Sequence, residues 1–153
     1  MTGVIFCGGK SSRMGSDKGL LEQENHTWAE LTASKLIALK LPVVLSVNEQ
    51  QYSLYKEKFE QLFIIKDNSS LDVYGPLKGI LSVYLHIINQ HLLVIACDMP
   101  AMQKEVIGHL IKRSSGKKKK LLFLKNNTYA EPLCAIYTSE GLKKYTGNIN
   151  RDN

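Results

Sequence analysis

The stretch from Thr2 to Leu21, TGVIFCGGKSSRMGSDKGLL, constrains this chain more than any other. Val4-Ile5-Phe6-Cys7 is apolar and gives way at once to Gly8-Gly9, then to Lys10, Ser11, Ser12, Arg13, Gly15 and Lys18. A buried strand, read here as Gly3 to Cys7, that runs into glycines, hydroxyls and cations points backbone N–H groups at an anion. The glycines permit close approach of the backbone. Arg13 can grip two phosphate oxygens at once, and Lys18 adds a point charge. The expectation is a nucleotide phosphate site at the carboxyl end of a first strand. The stretch is not a P-loop, because Gly9 and Gly15 have five residues between them and Gly15 is followed by Ser16-Asp17-Lys18. It is not G-x-G-x-x-G either. An ordinary surface turn has the same composition, so the rest of the chain decides.

Thr27-Trp28-Ala29-Glu30 matches a capping box and opens a helix that stops before Pro42. Val43 to Val47 is a second strand, followed by a helix over Glu49 to Glu60, in which Tyr52, Tyr55 and Phe59 share a face. Leu62 to Ile65 is a third strand, ending at Lys66-Asp67-Asn68-Ser69-Ser70. Gly75-Pro76-Leu77-Lys78-Gly79 opens another helix, with Ile80, Tyr84, Ile87 and Ile88 expected on one face. Leu92 to Ala96 is continuously apolar, as a strand covered on both faces should be. A helix with Val106, Ile107, Leu110 and Ile111 inward follows. Leu121 to Leu124 and Tyr129 to Tyr137 read as further strands, and Glu140 to Tyr145 as an amphipathic piece. The alternation predicts an α/β domain: a three-layer, doubly wound, mostly parallel sheet with helices on both faces. No internal repeat or domain boundary is visible in residues 1–153.

Composition narrows the class of function. Hydrophobic residues make up 44% and charged residues 22%, the range of a soluble globular protein. No secretory leader or membrane span is visible, so the expected location is the cytoplasm with no membrane partner. The three cysteines, Cys7, Cys97 and Cys134, form no CxxC pair and read as buried thiols rather than zinc ligands. The net charge of +6 is concentrated partly in Lys117-Lys118-Lys119-Lys120. That run reads as a solvated loop, and with no aromatic stripe beside it no nucleic-acid partner is expected.

In a doubly wound sheet, ligands bind outside the carboxyl ends of the strands. Gly8-Gly9, Ser46, Asn48, Asp67 and Asp98 should therefore line one crevice. Asp98, just after a buried strand, suits a Mg²⁺ ion held by one or two carboxylates plus substrate phosphates, or else caps the next helix. Asp67 either accepts from a sugar or base or closes its own turn. The free N–H groups at the start of the Gly75–Gly79 helix could meet an anion. His26, His86, His91 and His109 read as structural or surface residues, and no side-chain nucleophile with a base is evident.

Four segments together resemble the molybdenum cofactor guanylyltransferases, the MobA family within the GT-A-like nucleotidyltransferases. They are Phe6 to Leu21, Gly75-Pro76-Leu77-Lys78-Gly79-Ile80, Cys97-Asp98-Met99-Pro100, and Glu131-Pro132-Leu133-Cys134-Ala135-Ile136-Tyr137. The resemblance implies transfer of GMP from GTP to the terminal phosphate of molybdopterin, giving the guanine dinucleotide cofactor and pyrophosphate. It implies Mg²⁺ on Asp98, with Phe6, Cys7, Gly8 and Gly9 against the nucleotide. Lys18 and Arg13 would hold phosphates as catalytic groups with Asp98, and Ser46 or Asn48, together with Asp67, would contact the guanosine. Proteins that deliver the cofactor or mature molybdoenzymes are the implied partners. The family continues for several tens of residues past the E-P-L strand, so a single domain shortened at its C-terminus is expected. Asn148 and Asn150 resemble the family's molybdopterin-holding segment but lie much nearer Tyr137. Alternative readings are cytidylyl transfer, nucleotidyl transfer to a sugar phosphate, and a non-catalytic nucleotide-binding domain.

Overall fold

A computed structural model describes residues 1–9, 17–114, 121–125 and 130–146 of the chain. The elements in order are β1 (Thr2–Phe6), β2 (Glu22–Gln23), β3 (His26–Thr27), α1 (Trp28–Ala38), β4 (Val43–Val47), α2 (Tyr52–Lys58) and β5 (Phe63–Lys66). They continue with α3 (Pro76–His86), β6 (Leu92–Ala96), α4 (Lys104–Ser114), β7 (Leu121–Lys125), β8 (Ala130–Tyr137) and α5 (Ser139–Thr146). Apart from the small β2–β3 pair, which the sequence reading missed, the strands form one six-stranded sheet in the order β5-β4-β1-β6-β8-β7.

The expected architecture is present. The β1, β4, β5 and β6 strands are parallel, whereas β8 runs antiparallel to both β6 and β7. The strand–helix alternation runs through α4, and β7 and β8 then follow one another without a helix, four residues apart, a separation too short for parallel pairing. The chain first moves outward from β1 to β4 and β5, then crosses to β6 on the other side of β1. The topological switch point thus lies between the carboxyl ends of β1 and β6.

Strand parity divides the core in two. Ile5 and Cys7, Leu45 and Val47, and Leu93, Ile95 and Cys97 pack with residues of α1, α2 and α4. Val4 and Phe6, Val44, Ile65, and Leu92 and Val94 pack beneath α3 and α5. All five residues of β6 are buried, as a strand covered on both faces requires. The α1 helix begins with the expected capping box: Thr27 Oγ1 accepts from the Glu30 N–H, and the Glu30 carboxylate accepts from the Thr27 N–H at 2.7 Å. The α3 helix ends at His86, earlier than its apolar pattern suggested, and Ile88 beyond it is 58% exposed rather than inward. No helix among the described residues is long and apolar enough to cross a membrane.

Candidate active site

A cleft of about 160 Å³ opens at the switch point. Phe6, Cys7, Gly8 and Gly9 line it from the end of β1, and Ala96, Cys97 and Asp98 from the end of β6. Lys18 enters from the turn at Lys18–Leu20, and Leu133 of β8 closes one side. Six of the residues expected at the crevice are thus brought together: Phe6, Cys7, Gly8, Gly9, Lys18 and Asp98. Arg13, the other candidate phosphate ligand, lies outside the described residues, as does Lys117–Lys120.

Lys18 and Asp98 are eighty positions apart in the chain, and Lys18 Nζ donates to Asp98 Oδ2 at 2.7 Å. The Asp98 carboxylate raises the Lys18 amine above its ordinary range through this hydrogen bond and its charge. Both side chains remain about a third exposed, at 39% and 34%, so each is accessible to a ligand. The α4 helix starts only at Lys104, so Asp98 is not its cap. Its charge faces the cleft instead.

The backbone at the end of β1 is already paired. The Cys7 and Gly8 N–H groups both donate to the Ser46 carbonyl, at 2.9 and 3.1 Å, and the Phe6 carbonyl accepts from the Cys97 N–H at 3.1 Å. The anion cradle expected from the backbone therefore does not include the Cys7 or Gly8 N–H.

Ser46 and Asp67 lie beside the cleft, behind the Phe6 ring. Phe6 pairs with Ser46 and Ser46 with Ile65 across the sheet. Position 67 has the same parity as position 65, so both polar side chains turn toward α3. They meet at Gly79, where a Cβ atom would sit 2.6 Å from Phe6 Cε2, 2.8 Å from Ser46 Oγ and 3.2 Å from Asp67 Oδ1. Ser46 Oγ and Asp67 Oδ1 are buried and have no hydrogen-bond partner among the described residues. Burial raises the Asp67 carboxyl above the usual range, with the charge of Lys78 pulling the other way. Buried polar atoms without partners are rare in folded proteins, and each calls for a reason such as a functional role, a water or an ion. The neighbouring loop is firmly held: Ser82 Oγ accepts from the Asn68 N–H at 2.8 Å and donates to the Lys78 carbonyl at 2.7 Å.

Asn48 is placed differently. Its Oδ1 accepts from the Gln51 N–H and its own N–H donates to Gln51 Oε1, each at 3.0 Å. The sequence reading also missed the Asp17, Gln51 and Tyr55 cluster. Tyr55 looked like one more apolar position on α2, and nothing in a helical stripe reveals where a hydroxyl will find its partner. His91, by contrast, is structural as expected, accepting from the Ser139 N–H at 3.0 Å.

Residues 3–149 match the family model described as the MobA-like NTP transferase domain. The chain belongs to the MobA-like NTP transferase family. It is a nucleotidyltransferase, as the four segments led us to expect. A Campylobacter jejuni subsp. doylei protein named molybdenum cofactor guanylyltransferase is 30% identical over 137 residues, covering 89% of this chain and 68% of its own. A Clostridium perfringens protein, named a probable molybdenum cofactor guanylyltransferase, is 35% identical over 140 residues, covering 88% and 64%. Among solved structures, molybdopterin-guanine dinucleotide biosynthesis protein A from Archaeoglobus fulgidus superposes with a TM-score of 0.77 at 24% identity, covering 99% of this chain and 74% of that one. At that identity the superposition speaks for the fold.

Members of this family carry out metal-assisted chemistry, and the donor set here can be tested for fit. No group of three or more His, Cys, Asp or Glu able to hold a metal occurs among the described residues. Mg²⁺ does not require one: it is commonly bound by one or two carboxylates, with substrate phosphates and water completing the shell. Asp98, half-open on the cleft beside a cation that a phosphate can attract, fits that role.

Proposed function

We propose that the protein transfers GMP from GTP to the terminal phosphate of molybdopterin, forming the guanine dinucleotide cofactor and releasing pyrophosphate. The observation that carries this reading is the Lys18–Asp98 pair at the switch-point cleft. One cation and one carboxylate, both ligand-accessible, are what a triphosphate and its counter-ion need.

In this reading the triphosphate draws the Lys18 ammonium away from Asp98. Lys18 then neutralises negative charge at the reacting phosphates, and Arg13 serves the same end. Asp98 is the residue that would hold Mg²⁺, which supplies further charge neutralisation when bound. Phe6 packs against the nucleotide. The unpartnered Ser46 Oγ and Asp67 Oδ1 accept from the guanosine, whose base edge is rich in N–H donors, while Asn48 shapes the rim. The acceptor's terminal phosphate oxygen forms a bond to the α-phosphorus. The bond from that phosphorus to the α–β bridging oxygen breaks, and the electron pair leaves with pyrophosphate. The protein thus needs no nucleophile of its own; its part is positioning and charge stabilisation.

The test is a panel of GTP, CTP and ATP with Mg²⁺ and molybdopterin, read by pyrophosphate release. GTP should be preferred by at least about ten-fold, or about 1.4 kcal/mol of differential transition-state stabilisation. Asp98→Ala should abolish the metal-dependent rate. Equal turnover of all three nucleotides, or full activity in Asp98→Ala, would overturn the reading.

A further inference from the structure

One polar cluster stands outside the cleft and takes no part in the transfer chemistry itself. The Asp17 carboxylate accepts three hydrogen bonds: from the Gly19 N–H (3.0 Å) and the Tyr55 hydroxyl (2.8 Å) on Oδ1, and from Gln51 Nε2 (2.7 Å) on Oδ2. Tyr55 is fully buried, and burial pushes its phenol upward, so it stays a donor. Its hydroxyl occupies the space that a side chain at position 19 would need: a Cβ on Gly19 would lie 2.2 Å from it.

Gln51 is the centre of this cluster. Its Nε2 also donates to the Cys7 carbonyl at 3.0 Å, so both amide hydrogens are used. Its Oε1 accepts from the Asn48 N–H at 3.0 Å. With two acceptors on one side and a donor on the other, only one orientation of the amide satisfies all three partners. Cys7 follows β1 just before the glycine pair, Asp17 stands at the far end of the cation-rich segment, and Asn48 follows β4. A single amide therefore ties both ends of that segment to the sheet. Asp17 in turn caps the Lys18–Leu20 turn, so the Lys18 side chain leaves from a fixed base and reaches Asp98 across the cleft.

We propose that Gln51 and Tyr55 are positioning residues for nucleotidyl transfer, holding Asp17 so that Lys18 is aimed at the phosphates beside Asp98. The inference rests on the function proposed above, and its test separates the two. Tyr55→Phe removes one oxygen. Gln51→Glu keeps the shape but sets an oxygen against both the Cys7 carbonyl and the Asp17 carboxylate. Each is made alone and combined with Lys18→Ala in the full chain. The GTP dissociation constant and kcat/KM for pyrophosphate release are measured for all, so the cycle stays readable where Lys18→Ala leaves little turnover.

Tyr55→Phe should lower kcat/KM by about ten-fold, and Gln51→Glu by more. Either change should have less than about a two-fold effect once Lys18 is Ala, because residues that act through a third lose their effect when it is gone. A purely structural role would leave the effects multiplicative in the Lys18→Ala background, and that result overturns the inference. If Gln51→Glu does not fold, Tyr55→Phe carries the test alone. If Lys18→Ala itself neither weakens GTP nor slows release, the proposed role of Lys18 fails, and the positioning inference fails with it for a distinguishable reason.

Discussion

Gly79 offers a direct test of the proposed placement of the guanosine. In the interior of a helix such as α3, Gly→Ala normally stabilises by about 1 kcal/mol, through reduced freedom of the unfolded chain. Here the added methyl would meet Phe6 Cε2 at 2.6 Å, Ser46 Oγ at 2.8 Å and Asp67 Oδ1 at 3.2 Å. The first two distances are too short for a carbon atom, so something must shift. The Ser46 backbone has little freedom, since β4 lies between β1 and β5 and Ser46 is 1% exposed. Phe6 has a way out, because its ring borders the cleft.

Overpacking of this kind destabilises by about 1–3 kcal/mol. Set against the helix gain, Gly79→Ala should be net destabilising by roughly 0–2 kcal/mol, the low end applying if the Phe6 ring swings outward. The swing has a consequence for binding. It carries an aromatic ring into a cleft of only about 160 Å³ and crowds the two unpartnered oxygens. GTP affinity should then fall by at least ten-fold, or about 1.4 kcal/mol. Urea unfolding of the free protein measures the first quantity and titration calorimetry with GTP the second. A Phe6→Leu background should relieve part of the strain and shrink the stability change. A variant stabilised by the full helix increment with unchanged GTP affinity would refute both the packing argument and the placement of the nucleoside beside α3.

Two further outcomes follow from the same region. Asp67→Asn should stabilise the free protein at neutral pH while weakening GTP. The Asp67 carboxyl is raised on folding, so the folded state binds its proton more tightly, and its contribution to stability falls as pH rises from the unfolded value of about 3.9 through the folded one. The stabilising effect of Asn should therefore be present above that window and disappear below about pH 3.9 in urea titrations; a pH-independent difference would contradict it. Ser82→Ala should destabilise by about 1–3 kcal/mol, because it strands the Asn68 N–H next to Asp67; a loss under about 0.5 kcal/mol by urea unfolding would show that water replaces the hydroxyl.

How far the sequence disclosed this depends on what each residue signals locally. The ends of β1 and β6 were readable because an apolar run that stops at Gly-Gly or at Cys-Asp marks both a strand and its edge. The reversal of β8 was partly readable, since residues 126–129 are too short a connection for parallel strands. Its insertion between β6 and β7 was not, because an apolar run carries no information about its neighbour. Asp98 was visible as a carboxylate at a strand end, but its pairing with Lys18 depends on a contact across eighty positions. Tyr55 and Gln51 were invisible as functional residues, since a buried hydroxyl on an apolar stripe and a glutamine before a helix look the same whether or not they meet an aspartate.

Two half-buried carboxylates show why the site stands apart from the rest of the fold. Asp17 is satisfied by three donors, and its burial is compensated within the protein. Asp67 has the same chemistry, yet its buried Oδ1 and Ser46 Oγ beside it find no partner among the described residues. A sheet that provides for one carboxylate so completely has the means to provide for the other. The parity of β4 and β5 aims both oxygens at the one position in α3 that bears no side chain. Local rules that hold elsewhere in a fold and fail together at one place mark function rather than poor packing. A ligand bearing hydrogen-bond donors would supply the missing partners, and in the proposed function a guanine edge is that ligand.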